Sequence, residues 1–303
     1  MAPDHGRGAA VDAGHVLTGV QAATAYVNGA FVPLAEARVP VLDRGFLFAD
    51  GVYEVVPAYG GKPFALREHL ARLARSLREL AIANPHSEAE WADLAGRLIE
   101  HNGGGDCVVY FQVTRGAPAK RGHAFPVGVP PTVVGLCNPL PAPGEVALRD
   151  GVGAVTRPDI RWGRCDIKSV ALLANILASQ AAAEQACNEA ILHRDGRVTE
   201  GASSNVFAVL GKSVVTPPKG PDILSGITRD VLLEQLRAAR VPAHERRLTL
   251  TELRSADEIW LTSSTREVLP VTRLDGEPIG GRKPGPLWKK AYALFQEAKR
   301  RAT

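Results

Sequence analysis

One lysine, Lys168, stands between a polar, cysteine-containing turn and an apolar run in the stretch RWGRCDIKSVALLANILASQ, Arg161 to Gln180. Lysine is almost never buried without a partner, so its ordinary place is in solvent. The run after it is apolar on nearly all sides, which predicts a helix whose first turn lies inside the protein. There, desolvation would lower the amine's pKa and let it attack a carbonyl to form a Schiff base. A second candidate is DGRVTEGASSNVF, Asp195 to Phe207. Asp195-Gly196 reads as a hairpin turn, and Glu200 closes a strand beside small residues, with Ser204 and Asn205 opening the next. As a plain reading this is a hairpin and a polar loop; as a site, a carboxylate there can face the nitrogen of a flat ring. In DILSGITRD, Gly226, Ile227 and Thr228 mark a helix start, with Asp222 and Ser225 as possible caps. Free N–H groups and the dipole favour a phosphate at such a start, and Ser263 and Ser264 in TSST could add hydroxyls. In RGHAFP, Arg121 and His123 alternate on an extended segment and share a side, a fork suited to a carboxylate. Arg72 lies off a leucine stripe beside Arg75, where a solvated arginine is the default.

The elements that must carry these residues follow from pattern. AYVNGAFVPL reads as two short strands around Asn28-Gly29. Leucines at 70, 73, 77 and 80 predict an amphipathic helix from Glu68 to near Asn84-Pro85, and Glu88 to His101 predicts a second, stopped by three glycines. CVVYFQVTRG and TVVGLC read as strands, with a long connection between them that holds Arg121 and His123. NPLPAPGE, rich in proline, marks a linker. The second half mixes strands (EAILHR, NVFAVL, SVVTP, EIWLTS) with helices at about 169–186, 228–239 and 286–301. That mixture predicts an α+β architecture with a flexible tail over 1–24, a small domain over 25–137, a linker over 138–147 and a large domain over 148–303.

Bulk properties exclude several classes. The 303 residues are 45% hydrophobic and 22% charged, the make-up of a globular chain with a core. The net charge of +4 arises from 36 basic and 32 acidic residues, interspersed, which argues against nucleic acid as a partner. No run reaches the roughly 20 apolar residues of a membrane span. The four cysteines have no CxxC spacing, so neither a metal site nor a redox pair is expected, and a reducing cytoplasm suits them.

Taken in order, DRGFLFADGVYEV, EHLARL, YFQVTRG, RGHAFP, RWGRCDIKS, EAILHRDGRVTEGASSNVF, SGITRD and LTSST resemble the fold-type IV, class IV aminotransferases that use pyridoxal 5′-phosphate, and most closely the D-amino acid aminotransferases. The resemblance runs from about Ala25 to the C-terminus. It implies a two-domain fold, a small α/β domain and a larger pseudo-barrel domain that binds the cofactor. It implies Lys168 as the lysine bonded to the cofactor and as the carrier of the substrate's Cα proton. Glu200 would pair with the ring nitrogen and keep it protonated. Arg72, Ser204, Asn205, Ile227, Thr228, Ser263 and Ser264 would complete the cofactor site, with the phosphate held by Arg72, the Ile227 and Thr228 backbone and Ser264. Tyr53, Arg121 and His123 would clamp the substrate carboxylate, the last two from the second subunit of a homodimer. That clamp decides which Cα substituent meets Lys168, and it favours D-amino acids, with a 2-oxo acid such as 2-oxoglutarate as acceptor. Phe46, Ala49, Ala202 and Ser264 depart from the family pattern without removing a catalytic group. A branched-chain L-aminotransferase or an aminodeoxychorismate lyase shares the lysine and glutamate segments. A phosphate-ligand binding protein is the alternative outside enzymes.

Overall fold

The computed structural model describes residues 23–302. The tail expected over 1–24 therefore lies outside the described residues except for its end, and Thr24 already opens the first strand.

The first half is built on a six-stranded antiparallel sheet. Strands β1 (Thr24–Val27) and β2 (Ala30–Pro33) form the hairpin expected around Asn28-Gly29. Both turn residues take positive φ, 47° and 101°, the geometry that Asn-Gly supplies at low cost. After a short helix, α1 (Arg44–Phe48), come β3 (Gly51–Tyr59) and β4 (Lys62–Pro63). Helices α2 (Leu66–Glu79) and α3 (Glu88–His101) follow, then β5 (Cys107–Thr114) and β6 (Thr132–Pro139). The sheet order is β2-β1-β6-β5-β3-β4. Helix α3 starts on a capping box between Ser87 and Glu90, as its sequence pattern requires. Helix α2 stops at Glu79, short of the expected Asn84, where the chain turns through Ala81 at φ 52°. Both helices bury leucines against one face of the sheet, in a core with Trp91 and Phe111.

The second half begins with α4 (Glu145–Asp150), β7 (Val152–Pro158) and α5 (Leu173–Ala183). Strands β8 (Glu189–Arg194), β9 (Arg197–Gly201), β10 (Asn205–Leu210) and β11 (Ser213–Thr216) lead to α6 (Ile227–Ala238). The chain closes with β12 (Ala243–Glu245), α7 (Leu250–Arg254), β13 (Glu258–Ser263), β14 (Glu267–Leu274), β15 (Glu277–Pro278) and α8 (Pro286–Ala302). Their sheet runs β12-β11-β10-β13-β14-β7-β8-β9, with β15 on β14. Only β11 with β12, β14 with β7, and β7 with β8 are parallel, so the sheet is mixed and the fold is α+β.

This sheet has to curl. Residues 202–204 alone join the end of β9 to the start of β10, although β13, β14, β7 and β8 lie between those strands in the hydrogen-bonded order. Such a link spans at most about 14 Å, whereas the same strands in a flat sheet would be about 24 Å apart. The strands therefore wrap into a partial barrel, and the 202–204 turn sits at its rim.

Helix α5 corrects an expectation. It begins at Leu173, not at 169, and Lys168 lies outside it. Of its residues only Ala182 is buried, while Leu173, Ile176 and Leu177 are exposed. A helix apolar all round is expected to be enclosed by its own chain; this one rests on the sheet by a narrow strip of alanines.

Candidate active site

A cavity of about 640 Å³ opens between the two sheets, and Lys168 lines it. The lysine sits on an extended stretch that pairs with β3: Ser169 bridges Val52, Tyr53 N donates to Lys168 O at 2.9 Å, and Val170 N donates to Gly51 O at 3.0 Å. Asp166, gripped by Arg75 and Arg164, fixes the chain just before it. Lys168 Nζ lies 4.0 Å from the centre of the Tyr53 ring. The half-buried amine is therefore aimed by a strand pairing, not by a helix.

Glu200, at the end of β9, is buried and lines the same cavity. Its Oε1 accepts from Arg161 Nη1, and its Oε2 accepts from Asn205 Nδ2 and Leu224 N, both at 3.0 Å. Burial pushes its pKa up to about 7, against the pull of Arg161. Arg161 also forks onto Asp159 at 3.0 and 2.9 Å, and Thr199 Oγ1 donates to Asp159 at 2.9 Å.

The floor is the start of α6. Neither Asp222 nor Ser225 caps it: Gly226 is the N-cap, without a side-chain bond, and Asp222 is paired with Arg194. A Cβ on Gly226 would stand 1.9 Å from Asn205 Oδ1, so only glycine allows this approach. Ile227 and Thr228 line the cavity at the start of this helix, whose first-turn N–H groups have no side-chain cap and could receive an anion. Arg72 donates through Nη1 to Ser225 O at 2.8 Å. Its Nε and Nη2 fork onto Glu54, which His69 Nδ1 also meets at 2.9 Å. Burial opposes the charge on Glu54, yet Arg72 and His69 hold its carboxyl well below the usual range. Arg72, expected to be solvated on pattern alone, is buried because this carboxylate sits beneath it.

Ser204, Ser263 and Ser264 also line the cavity. Ser204 Oγ is tied to Glu189 at 2.8 Å. Thr262 Oγ1 is buried without a protein partner, an orphan that a cavity ligand would satisfy. The donor set fits pyridoxal 5′-phosphate on chemistry: an amine, a buried carboxylate, and an uncapped helix start for a dianion. Arg121 and His123 are elsewhere. Both are exposed, neither lines this cavity, and both pack on Phe48, at 4.7 and 5.2 Å from its ring centre.

The family model for amino-transferase class IV matches residues 51–274, most of the chain. The chain belongs to the class IV aminotransferases. This aminotransferase is 43% identical over 271 residues to a D-alanine aminotransferase of Bacillus licheniformis, covering 89% of this chain and 95% of that one. It is 40% identical over 273 residues to a D-alanine aminotransferase of Staphylococcus aureus, covering 90% and 96%. Its fold superposes with a TM-score of 0.85 on the Escherichia coli branched-chain amino acid aminotransferase, at 25% identity over 91% of this chain and 94% of that one. A T.th. branched-chain amino acid aminotransferase in complex with N-(5′-phosphopyridoxyl)-L-glutamate superposes at 0.83, with 26% identity and 92% and 94% coverage. In this class IV aminotransferase, sequence reasoning missed the supporting groups Arg161, Asp159, Glu54 and His69. Glu54 carried a signal, a lone acid at a core position of the strand GVYEVVPAY; Arg161 lay unassigned in the segment that contains Lys168.

Proposed function

We propose that this enzyme transfers the amino group of a D-amino acid, D-alanine or a similar one, to 2-oxoglutarate, with pyridoxal 5′-phosphate as cofactor. The observation that carries the reading is one cavity that Lys168, Glu200 and the uncapped start of α6 line together. The names of the relatives at 40% identity and above support the D-specific form. The cofactor, when bound, supplies a protonated ring that accepts electrons from the substrate's Cα as its proton leaves. Lys168 Nζ is the amine that holds the cofactor and moves that proton. Glu200, oriented by Arg161 and Asn205, holds the proton on the ring nitrogen. Ile227 and Thr228 N–H groups, with Arg72 and Ser264, would take the phosphate, and Ser204, Asn205 and Ser263 would complete the cofactor site. Tyr53 lies against the amine on the substrate side.

Two copies are part of the proposal. With Arg121 and His123 outside their own chain's cavity, the carboxylate clamp is completed by the loop of a second copy, and the exposed Leu173, Ile176, Leu177 and Phe125 suit burial between copies. A division near 138–147 into a small and a large domain is part of the proposal, supported by one sheet on each side, but β6 runs to Pro139 and α4 starts at Glu145, so only 140–144 between them is free of regular structure. Among the described residues no helix is long and apolar enough to cross a membrane; a cytoplasmic site accords with the four free cysteines.

The test is a coupled assay that offers D-alanine, L-leucine and L-valine separately with 2-oxoglutarate, and D-glutamate with pyruvate, since D-glutamate and 2-oxoglutarate only regenerate each other. Turnover of the D-amino acids is expected, and turnover of the L-amino acids alone would refute the D-specific reading. Lys168→Ala should abolish transfer, and borohydride should fix the cofactor to the wild-type chain only.

A further inference from the structure

The 115–131 connection between β5 and β6 has no regular secondary structure, yet it carries Arg121 and His123. A loop of that length without internal hydrogen-bonded structure is ordinarily mobile, and a mobile loop makes a poor clamp, because each immobilised side chain must then be ordered on binding. The structure supplies a reason for it to be still. Arg44, on α1, is buried, and its guanidinium is committed to the backbone of this loop. Its Nη1 donates to Gly122 O and, at 3.4 Å, to Ala124 O, and its Nη2 donates to His123 O at 3.1 Å. These carbonyls flank the His123 backbone on both sides.

The anchor is itself held. Arg44 Nε donates to Asp50 Oδ2 at 2.7 Å, and Asp50 is shared with Arg115, which donates at 2.8 and 3.0 Å. Asp43 caps α1 through Gly45 N at 2.8 Å and accepts from Thr114 Oγ1 at 2.9 Å. A Cβ on Gly45 would stand 2.3 Å from the Thr114 methyl, so α1 is packed directly on β5. Further along the loop, the Arg115 guanidinium lies 3.5 Å from the centre of the Phe125 ring. Phe48, one turn after Arg44, offers its ring to both clamp side chains at once.

We infer that Arg44 is the positioning residue of the substrate-carboxylate clamp: it pins the Gly122–Ala124 backbone over α1 so that Arg121 and His123 stand together on Phe48 before substrate arrives. The inference rests on the proposed role of Arg121 and His123 as that clamp. Arg44 does not line its own chain's cavity, and its guanidinium is taken up by Asp50 and the loop carbonyls, so its loss should act on binding of both substrates and not on the cofactor. Its removal leaves Asp50 paired with Arg115, and the freed carbonyls lie in an exposed loop where water replaces the guanidinium. The variant is therefore expected to fold.

The test compares Arg44→Met, Arg44→Lys, Phe48→Leu and Arg121→Ala in the cofactor-loaded enzyme. Arg44→Met should raise KM for D-alanine and for 2-oxoglutarate about tenfold, the range of one lost charge-assisted contact, with kcat within about threefold. The absorbance of the bound cofactor and its dissociation constant should not change. Arg44→Lys, which keeps the charge but not the fork, should fall between. Phe48→Leu should raise KM in the same pattern and serves as the test if Arg44→Met does not fold. Unchanged KM values in Arg44→Met or, where that variant fails, in Phe48→Leu, beside a raised KM in Arg121→Ala, would overturn the inference. Unchanged KM in Arg121→Ala would overturn the clamp itself.

Discussion

Glu200→Gln is the most informative change at the site, because it removes a charge and almost nothing else. Glu200 accepts at both oxygens, from Arg161 on one and from Asn205 and Leu224 N on the other. A glutamine has one oxygen, so whichever way it turns its amide N–H groups face a donor, a mismatch that costs about 1–3 kcal/mol when buried. Against this stands the penalty for ionising a carboxyl that burial has raised from 4.5 to about 7. At 1.36 kcal/mol per pKa unit that penalty approaches about 3 kcal/mol. Below pH 4.5 the folded and unfolded chains both hold the proton and no penalty exists. As pH rises through 7 the unfolded chain releases its proton first, so the native state loses stability with pH. Glutamine has no such dependence. In the cofactor-free protein, the stability of Glu200→Gln relative to wild type should therefore rise by about 2–3 kcal/mol between pH 5 and pH 8. Urea unfolding of both proteins at the two pH values measures this. Asp159, Arg161 and the histidines are common to both proteins and cancel in the difference. A relative stability that does not move with pH would refute the assignment of a raised pKa to Glu200. In the loaded enzyme the same variant should lose about 100-fold in kcat, the usual scale for one missing electrostatic contact at a developing charge.

Glu54→Gln should act in the opposite pH direction. Its carboxyl is held low by Arg72 and His69, so its contribution is present above the unfolded pKa of 4.5 and fades in acid. At pH 7 the variant should be about 3–5 kcal/mol less stable by urea unfolding, the cost of stranding a buried arginine, and should bind the cofactor more weakly; equal stability would contradict the pairing. Gly226→Ala should push Asn205 from Glu200, because the new methyl would meet Oδ1 at 1.9 Å. A loss of cofactor affinity of about tenfold or more is expected by absorbance titration, on the scale of one displaced hydrogen-bonding group, and wild-type affinity would show that the helix start can shift.

Local pattern made the scaffold legible where a single element settles its own geometry. Asn28-Gly29 dictates its turn, and Ser87 with Glu90 dictates where α3 begins. Glu200 and Gly226 to Thr228 stand out because they lie at element boundaries, and Lys168 because a polar segment there gives way to an apolar run. The polar groups that hold them do not. Arg72 meets Ser225 and Arg161 meets Glu200 across 153 and 39 residues of chain, and periodicity carries no record of pairings at that range. Nor does pattern anticipate that β3 runs unbroken through Pro57 to Tyr59. Proline lacks a donor there, and the Pro57 carbonyl is still used, by Phe64 N.

The departure at α5 has the widest consequence. Composition alone predicts a helix enclosed by its own chain, with Lys168 just before its first turn. In the folded chain the amine is aimed instead by the pairing of Ser169 with Val52, and Leu173, Ile176 and Leu177 remain exposed. Both arrangements answer the same fact, that a run this apolar is not stable in water. It is covered either by its own chain or by another. Ile176 also lines the cavity, so whatever covers α5 would border that cavity. Arg121 and His123, which find no cavity in their own chain, pose the same demand from the other sheet. The second copy we propose would meet both demands at once, and its approach would shield the Lys168 amine from solvent more fully than one chain does.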